Sequence, residues 1–229
     1  MMQATLRYSD DIIRKKIYDR FYWDAQLDDF ANISVSVTSG RVTLSGSAPT
    51  IASRKQAEAD AYTIDGVQTV GNQLAVKINT TMKIPSDRDV GTALWELLRW
   101  NSRTDMSSIH MNVNSGYVII MGTVRSYYEK FRIQELAQGM VGVIAVDNRL
   151  TVVPNSSEGD EEIGSRIIKD LKTILGSDVD RITVMVRKGI VTLTGTVRDM
   201  LAFNAVSTIV RSVRGIVDVH THLSVHEGE

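Results

Sequence analysis

Three glycine pairs with one internal spacing constrain this chain more than any other feature. Gly46 and Gly66, Gly122 and Gly142, and Gly195 and Gly215 each lie 20 residues apart. A further glycine stands six residues ahead of each pair, at Gly40, Gly116 and Gly189. The period is 76 residues from the first unit to the second and 73 from the second to the third. Apolar positions keep the same register: Val35-x-Val37, Met111-x-Val113 and Val184-x-Val186 precede the pairs, and Leu74-x-Val76, Leu150-x-Val152 and Leu223-x-Val225 follow them. Coincidence does not produce three such registers, so the chain reads as three homologous units, 9–78, 86–153 and 160–227.

Each unit predicts the same element order. An acidic start leads into a helical stripe: Ile13, Ile17 and Phe21; Val90, Leu94 and Leu98; Ile163, Ile167 and Leu171. Spacings of three and four put such side chains on one helical face. Two short alternating runs follow, joined by Ser39-Gly40, Ser115-Gly116 or Lys188-Gly189, pairs that suit a primed turn with positive φ. A second helix comes next, with Ser126 and Asp199 as candidate N-caps and Gly66, Gly142 and Gly215 just past its end. A last strand closes the unit. One hairpin and one crossover predict an α+β fold of three αββαβ units, each a three-stranded mixed sheet with two helices on one face. Linkers fall at 79–86 and 154–160, where turn residues and charge cluster.

These residues carry a family resemblance. V-T-L-S-G at 42–46 with D-G-V-Q-T-V-G-N-Q-L-A-V at 65–76, and V-T-L-T-G-T-V at 191–197 with R-G-I-V-D-V at 214–219, resemble the BON domain of bacteria. The second unit departs most, with I-I-M-G at 119–122, and keeps D-N-R-L-T-V at 147–152. The resemblance implies an αββαβ fold, no enzymatic activity, a role in envelope or osmotic stress, contact with phospholipid surfaces and, in some relatives, potassium. The nine glycines named above are then structural, serving turns and caps.

Composition narrows the classes. Lys+Arg 26 balances Asp+Glu 27, which argues against a nucleic-acid binder. Cysteine is absent, which excludes thiolate metal sites and thiol nucleophiles. No nucleotide-binding loop, nucleophile elbow or H-E-x-x-H occurs, so the expectation is a non-enzyme without cofactors. The acids at the starts of the first helices are explained by the helix dipole. The first residues, MMQATLRYSDD, lack a signal-like apolar stretch, so the expected location is cytoplasmic, or periplasmic if a signal has been removed.

Three surfaces are candidates for function. Tyr18 and Trp95 lie off the buried stripes, and Tyr22, Trp23 and Trp100 end the first helices, where aromatics beside Arg99 suit either a lipid headgroup layer or a protein contact. Of those two, the protein contact is favoured. On the outer sheet face the second unit alone places Tyr117, Ile119 and Met121, beside His110, which points to packing against a neighbour. His220, His222 and His226 share one strand face and could chelate a metal, though a solvated cluster explains them as well. The leading expectation is a stress-linked binding module for phospholipid or envelope surfaces. The alternatives are a homo-oligomerising structural protein and a module responsive to potassium or another cation.

Overall fold

The computed structural model describes residues 8–27, 30–77, 84–101, 106–154 and 158–225. The chain divides into two compact bodies, Met1–Pro85 with Val141–Ile144 and Ser86–Met140 with Ala145–Glu229.

In the first body, helix α1 (Asp10–Trp23) buries Ile13, Ile17 and Phe21, its apolar stripe. Strands β1 (Ile33–Thr38) and β2 (Arg41–Ala48) pair antiparallel, with Ile33 opposite Gly46 and Thr38 opposite Arg41. Ser39 and Gly40 connect them at φ +51° and +75°, the left-handed pair that a primed two-residue turn demands. Helix α2 (Ile51–Tyr62) starts at Thr50, whose hydroxyl accepts the Ser53 N–H. The chain then returns parallel to β2 as β3 (Thr69–Asn72) and β4 (Ala75–Val76). The break between them falls where the Asn72 side chain accepts the Leu74 N–H and donates to the Arg54 carbonyl. Both helices and the inward residues Val35, Val42 and Leu44 form one apolar cluster, so the helices cover a single sheet face.

The second body holds the other two copies. Helix α3 (Asp87–Asn101), β5 (Ile109–Asn114), β6 (Tyr117–Val124), α4 (Tyr127–Gln138) and β7 (Ala145–Val152) form the second copy, with β6 central. Helix α5 (Asp160–Leu175), β8 (Ile182–Arg187), β9 (Ile190–Val197), α6 (Met200–Ser212) and β10 (Asp218–Val225) form the third, with β9 central. Each sheet is mixed, antiparallel within its hairpin and parallel across its crossover. Ser126 and Asp199 cap α4 and α6 by accepting the N–H groups of Glu129 and Ala202. Between these copies Arg211 of α6 stacks over the Phe131 ring of α4 at 3.8 Å, and Tyr127 packs on the third core. Burial lowers the Arg211 pKa, and burial followed by the Asp218 charge raises that of Tyr127.

Gly46, Gly122 and Gly195 serve neither turn nor cap. Each lies inside the central strand at positive φ, opposite the first residue of the preceding strand. A Cβ on Gly195 would run into the Arg181 carbonyl oxygen and lie 3.2 Å from Ile182 Cα. The repeated glycine marks a close approach of two backbones, the use for which only glycine is suited.

Candidate functional site

The three first helices end differently, and their exposure sorts the aromatic residues. Trp23 and Trp100 occupy matching positions at the last turns of α1 and α3 and are 80% and 86% exposed. Tyr22, 69% exposed, stands edge-on to Trp23. The matching residue of the third copy is Thr173. Each of these indoles presents an exposed apolar ring with a polar N–H at its edge.

Tyr18 and Trp95 have other work. Tyr18 is half-buried, and its hydroxyl accepts the Val35 N–H at 3.0 Å, tying α1 to the first strand. Trp95 is 37% exposed and lines an open groove of about 710 Å³ between α3 and the edge strand β5, with Asp87, Gly91, His110 and Val113.

On the outer face of the second sheet Tyr117 and Met121 are exposed and Ile119 is half-buried. His110 and Asn112 pair with Met121 and Ile119 on one side. Asp147 and Arg149, joined by an ion pair of 2.6 Å, pair with Ile119 and Met121 on the other. An apolar stripe with polar borders therefore crosses this face. The matching strand residues of the other copies are mostly Ser and Thr.

His220 and His222 are exposed on edge strand β10, opposite Thr192 and Thr194. His226 lies outside the described residues. Among the described residues no group of three His, Asp or Glu is placed to hold a metal ion. No described helix is long and apolar enough to cross a membrane.

Two constellations escaped the sequence reading. The first is a clamp repeated in every copy, in which a first-turn aspartate of the opening helix takes both N–H groups of the hairpin turn. Asp10 accepts from Ser39 and Gly40 at 2.8 and 3.0 Å. Asp87 accepts from Ser115 and Gly116 at 2.7 and 2.9 Å, and Asp160 from Lys188 and Gly189 at 2.7 and 2.8 Å. These bonds lower the pKa of Asp10, chiefly through Gly40, and of Asp160, chiefly through Gly189. The dipole alone is therefore not what the acids serve. The second is a polar cluster between α1 and α2 of the first copy: Arg20, Asp24, Gln56 and the buried Asp60.

The model of the BON domain family matches residues 9–78, 86–154 and 159–227. A curated relative, the 21 kDa hemolysin of Actinobacillus pleuropneumoniae, is 27% identical over 121 residues, which are 52% of this chain and 62% of the relative. This chain thus spans less than two thirds of that relative's length. Two solved structures of CdsD, a structural protein of the Type III secretion system of Chlamydia trachomatis, are each 16% identical to it. One gives a TM-score of 0.24 over 94% of this chain and 92% of the other, and its C-terminal domain 0.23 over 98% of each. Likeness at that level carries no argument here.

Proposed function

The chain belongs to the BON domain family, in three tandem copies, and on that premise we propose that it is a non-catalytic, stress-linked binding module for phospholipid surfaces. The carrying observation is the matched pair Trp23 and Trp100, exposed at the ends of two first helices. Insertion of an indole at the headgroup layer removes apolar area from water and leaves its N–H hydrated. Arg99, basic in the last turn of α3, adds attraction to anionic headgroups. Repetition supplies avidity, since a second copy binds at the effective concentration set by the first. That a curated relative is named a hemolysin supports the same direction.

The test is co-sedimentation with anionic and zwitterionic vesicles at two salt concentrations, comparing wild type with Trp23→Ala/Trp100→Ala. Salt-sensitive binding to anionic vesicles, weakened at least tenfold in the double variant, is expected. Absence of binding, or binding that the double substitution leaves intact, refutes the reading. A second reading, self-association, is favoured by the stripe of Tyr117, Ile119 and Met121. Sedimentation velocity separates the two: an assembly dispersed by Tyr117→Ser/Met121→Ser belongs to the sheet face, and a single 25.4 kDa species refutes it.

A further inference from the structure

The first copy buries a carboxyl that its fold does not need. Asp60 on α2 is 1% exposed. Its Oδ1 accepts from Arg20 Nε and Gln56 Nε2, both at 3.1 Å, whereas Oδ2 is buried without a hydrogen-bond partner among the described residues. Gln56 Nε2 also donates to Asp24 Oδ2 at 2.9 Å, so one amide bridges two carboxyls. At the matching positions the other copies have Leu136 and Ile209 for Asp60, Leu97 and Asp170 for Arg20, and Asn101 and Ile174 for Asp24. The same helix pair therefore closes twice without the cluster, and packing alone does not account for it. A buried carboxylate with an orphaned oxygen is costly, and a neighbouring carboxylate makes it costlier.

We infer that Asp24 and Asp60 hold one proton between them, which makes the α1–α2 pair of the first copy a proton-responsive latch. A proton on Asp60 Oδ2 turns the orphaned acceptor into a donor toward Asp24, while Oδ1 keeps Arg20 and Gln56. The charged groups acting on Asp60 are Asp24 and Arg20, both on α1 or at its C-terminal cap; the facing residue of α2, Gln56, is neutral. Burial first, then the contact with Asp24, pushes the Asp60 carboxyl from 3.8 up to about 6 against the pull of Arg20. Because the folded state binds the proton more tightly, the latch is fully closed below about pH 4 and slackens as pH rises through about 6.

The test follows the Asp60 side-chain carbon by NMR in the full chain between pH 3 and 8, together with amide exchange in α2. The expected midpoint lies near 6, with α2 amides losing protection above it. Asp24→Asn removes the second charge and should lower that midpoint. Asp60→Asn keeps the Oδ1 acceptor, adds a permanent donor and should make α2 protection independent of pH. An Asp60 midpoint in the ordinary carboxylate range, or one that Asp24→Asn leaves unmoved, overturns the inference. Should Asp60→Asn fail to fold, the wild-type and Asp24→Asn titrations still decide it. No readout involves a membrane, so this inference stands or falls separately from the lipid reading.

Discussion

Two glycine-to-alanine substitutions in the third copy should have opposite signs. Gly195 lies in the central strand β9 at φ +125°, where an added Cβ would overlap the Arg181 carbonyl and approach its carbon to 3.1 Å. Relieving that overlap requires backbone movement of roughly 1 Å, since ordinary carbon contacts lie near 3.5–4.0 Å. Holding alanine in that backbone region costs about 1–3 kcal/mol, and forcing volume into a packed site costs about 1–3 kcal/mol more. Gly195→Ala should therefore lose about 4 kcal/mol, among the largest effects of a single substitution. Gly164 lies inside α5, and a Cβ there would meet only Val186 Cγ2, at 3.6 Å, an ordinary contact. Gly164→Ala should gain about 0.5–1 kcal/mol from reduced backbone entropy in the unfolded chain. Urea unfolding by far-UV circular dichroism measures both, with m checked for constancy. A loss below about 1 kcal/mol at Gly195, or any loss at Gly164, would refute the reasoning.

Two further outcomes follow from contacts described above. The Asp10 and Asp160 carboxyls are lowered by turn N–H groups, so their clamps contribute stability above the unfolded pKa near 3.8 and lose it as pH falls through the lower folded value. Asp160→Ala should remove the third copy's share of that acid sensitivity, leave the Asp10 share in place, and speed exchange of the Lys188 and Gly189 amides, as NMR would read. Arg211→Ala removes the cation stacked on Phe131 and should cost about 1 kcal/mol; an unchanged urea midpoint would show that the stack contributes nothing to joining the second and third copies.

The repeat made the fold legible. The glycine register placed the hairpin turns, and the apolar spacings identified the buried stripes Ile13–Ile17–Phe21 and Ile163–Ile167–Leu171. What it missed depends on partners distant in sequence. Asp10, Asp87 and Asp160 already had a local explanation in the helix dipole, and the turns that they hold come 28–30 residues later. Asp60 falls at helical spacing beside Ala57 and Ala61, so its period places it on the buried face; its charge argues the other way, and the Arg20 guanidinium that meets it there lies 40 residues earlier. Trp95 and Trp100 share one helix, yet only Trp95 falls in the groove beside β5. Periodicity alone cannot register the difference. Gly195 read as a turn or cap glycine because a spacing records which residue recurs and leaves open which backbone passes beside it.

The aspartate clamps also bear on the order in which a copy is made. Neither Ser9 nor Gly159 offers a side-chain cap to the helix that follows it, and the first-turn aspartate is bonded to the turn of the hairpin. During synthesis Asp160 leaves the ribosome 28 residues ahead of Lys188, so its two bonds must wait for the hairpin to be delivered and folded. The hairpin closes the shortest loop, while the clamp and the parallel pairing of β10 with β9 each close one of 28 residues. Loop length thus favours the hairpin first in each copy, with the fastening of the opening helix and the pairing of the returning strand, each closing about 28 residues, after it. A chain stalled before its hairpin turn would leave Asp10 or Asp160 without the two N–H groups that it accepts, whereas α3 would keep its local Ser86 cap.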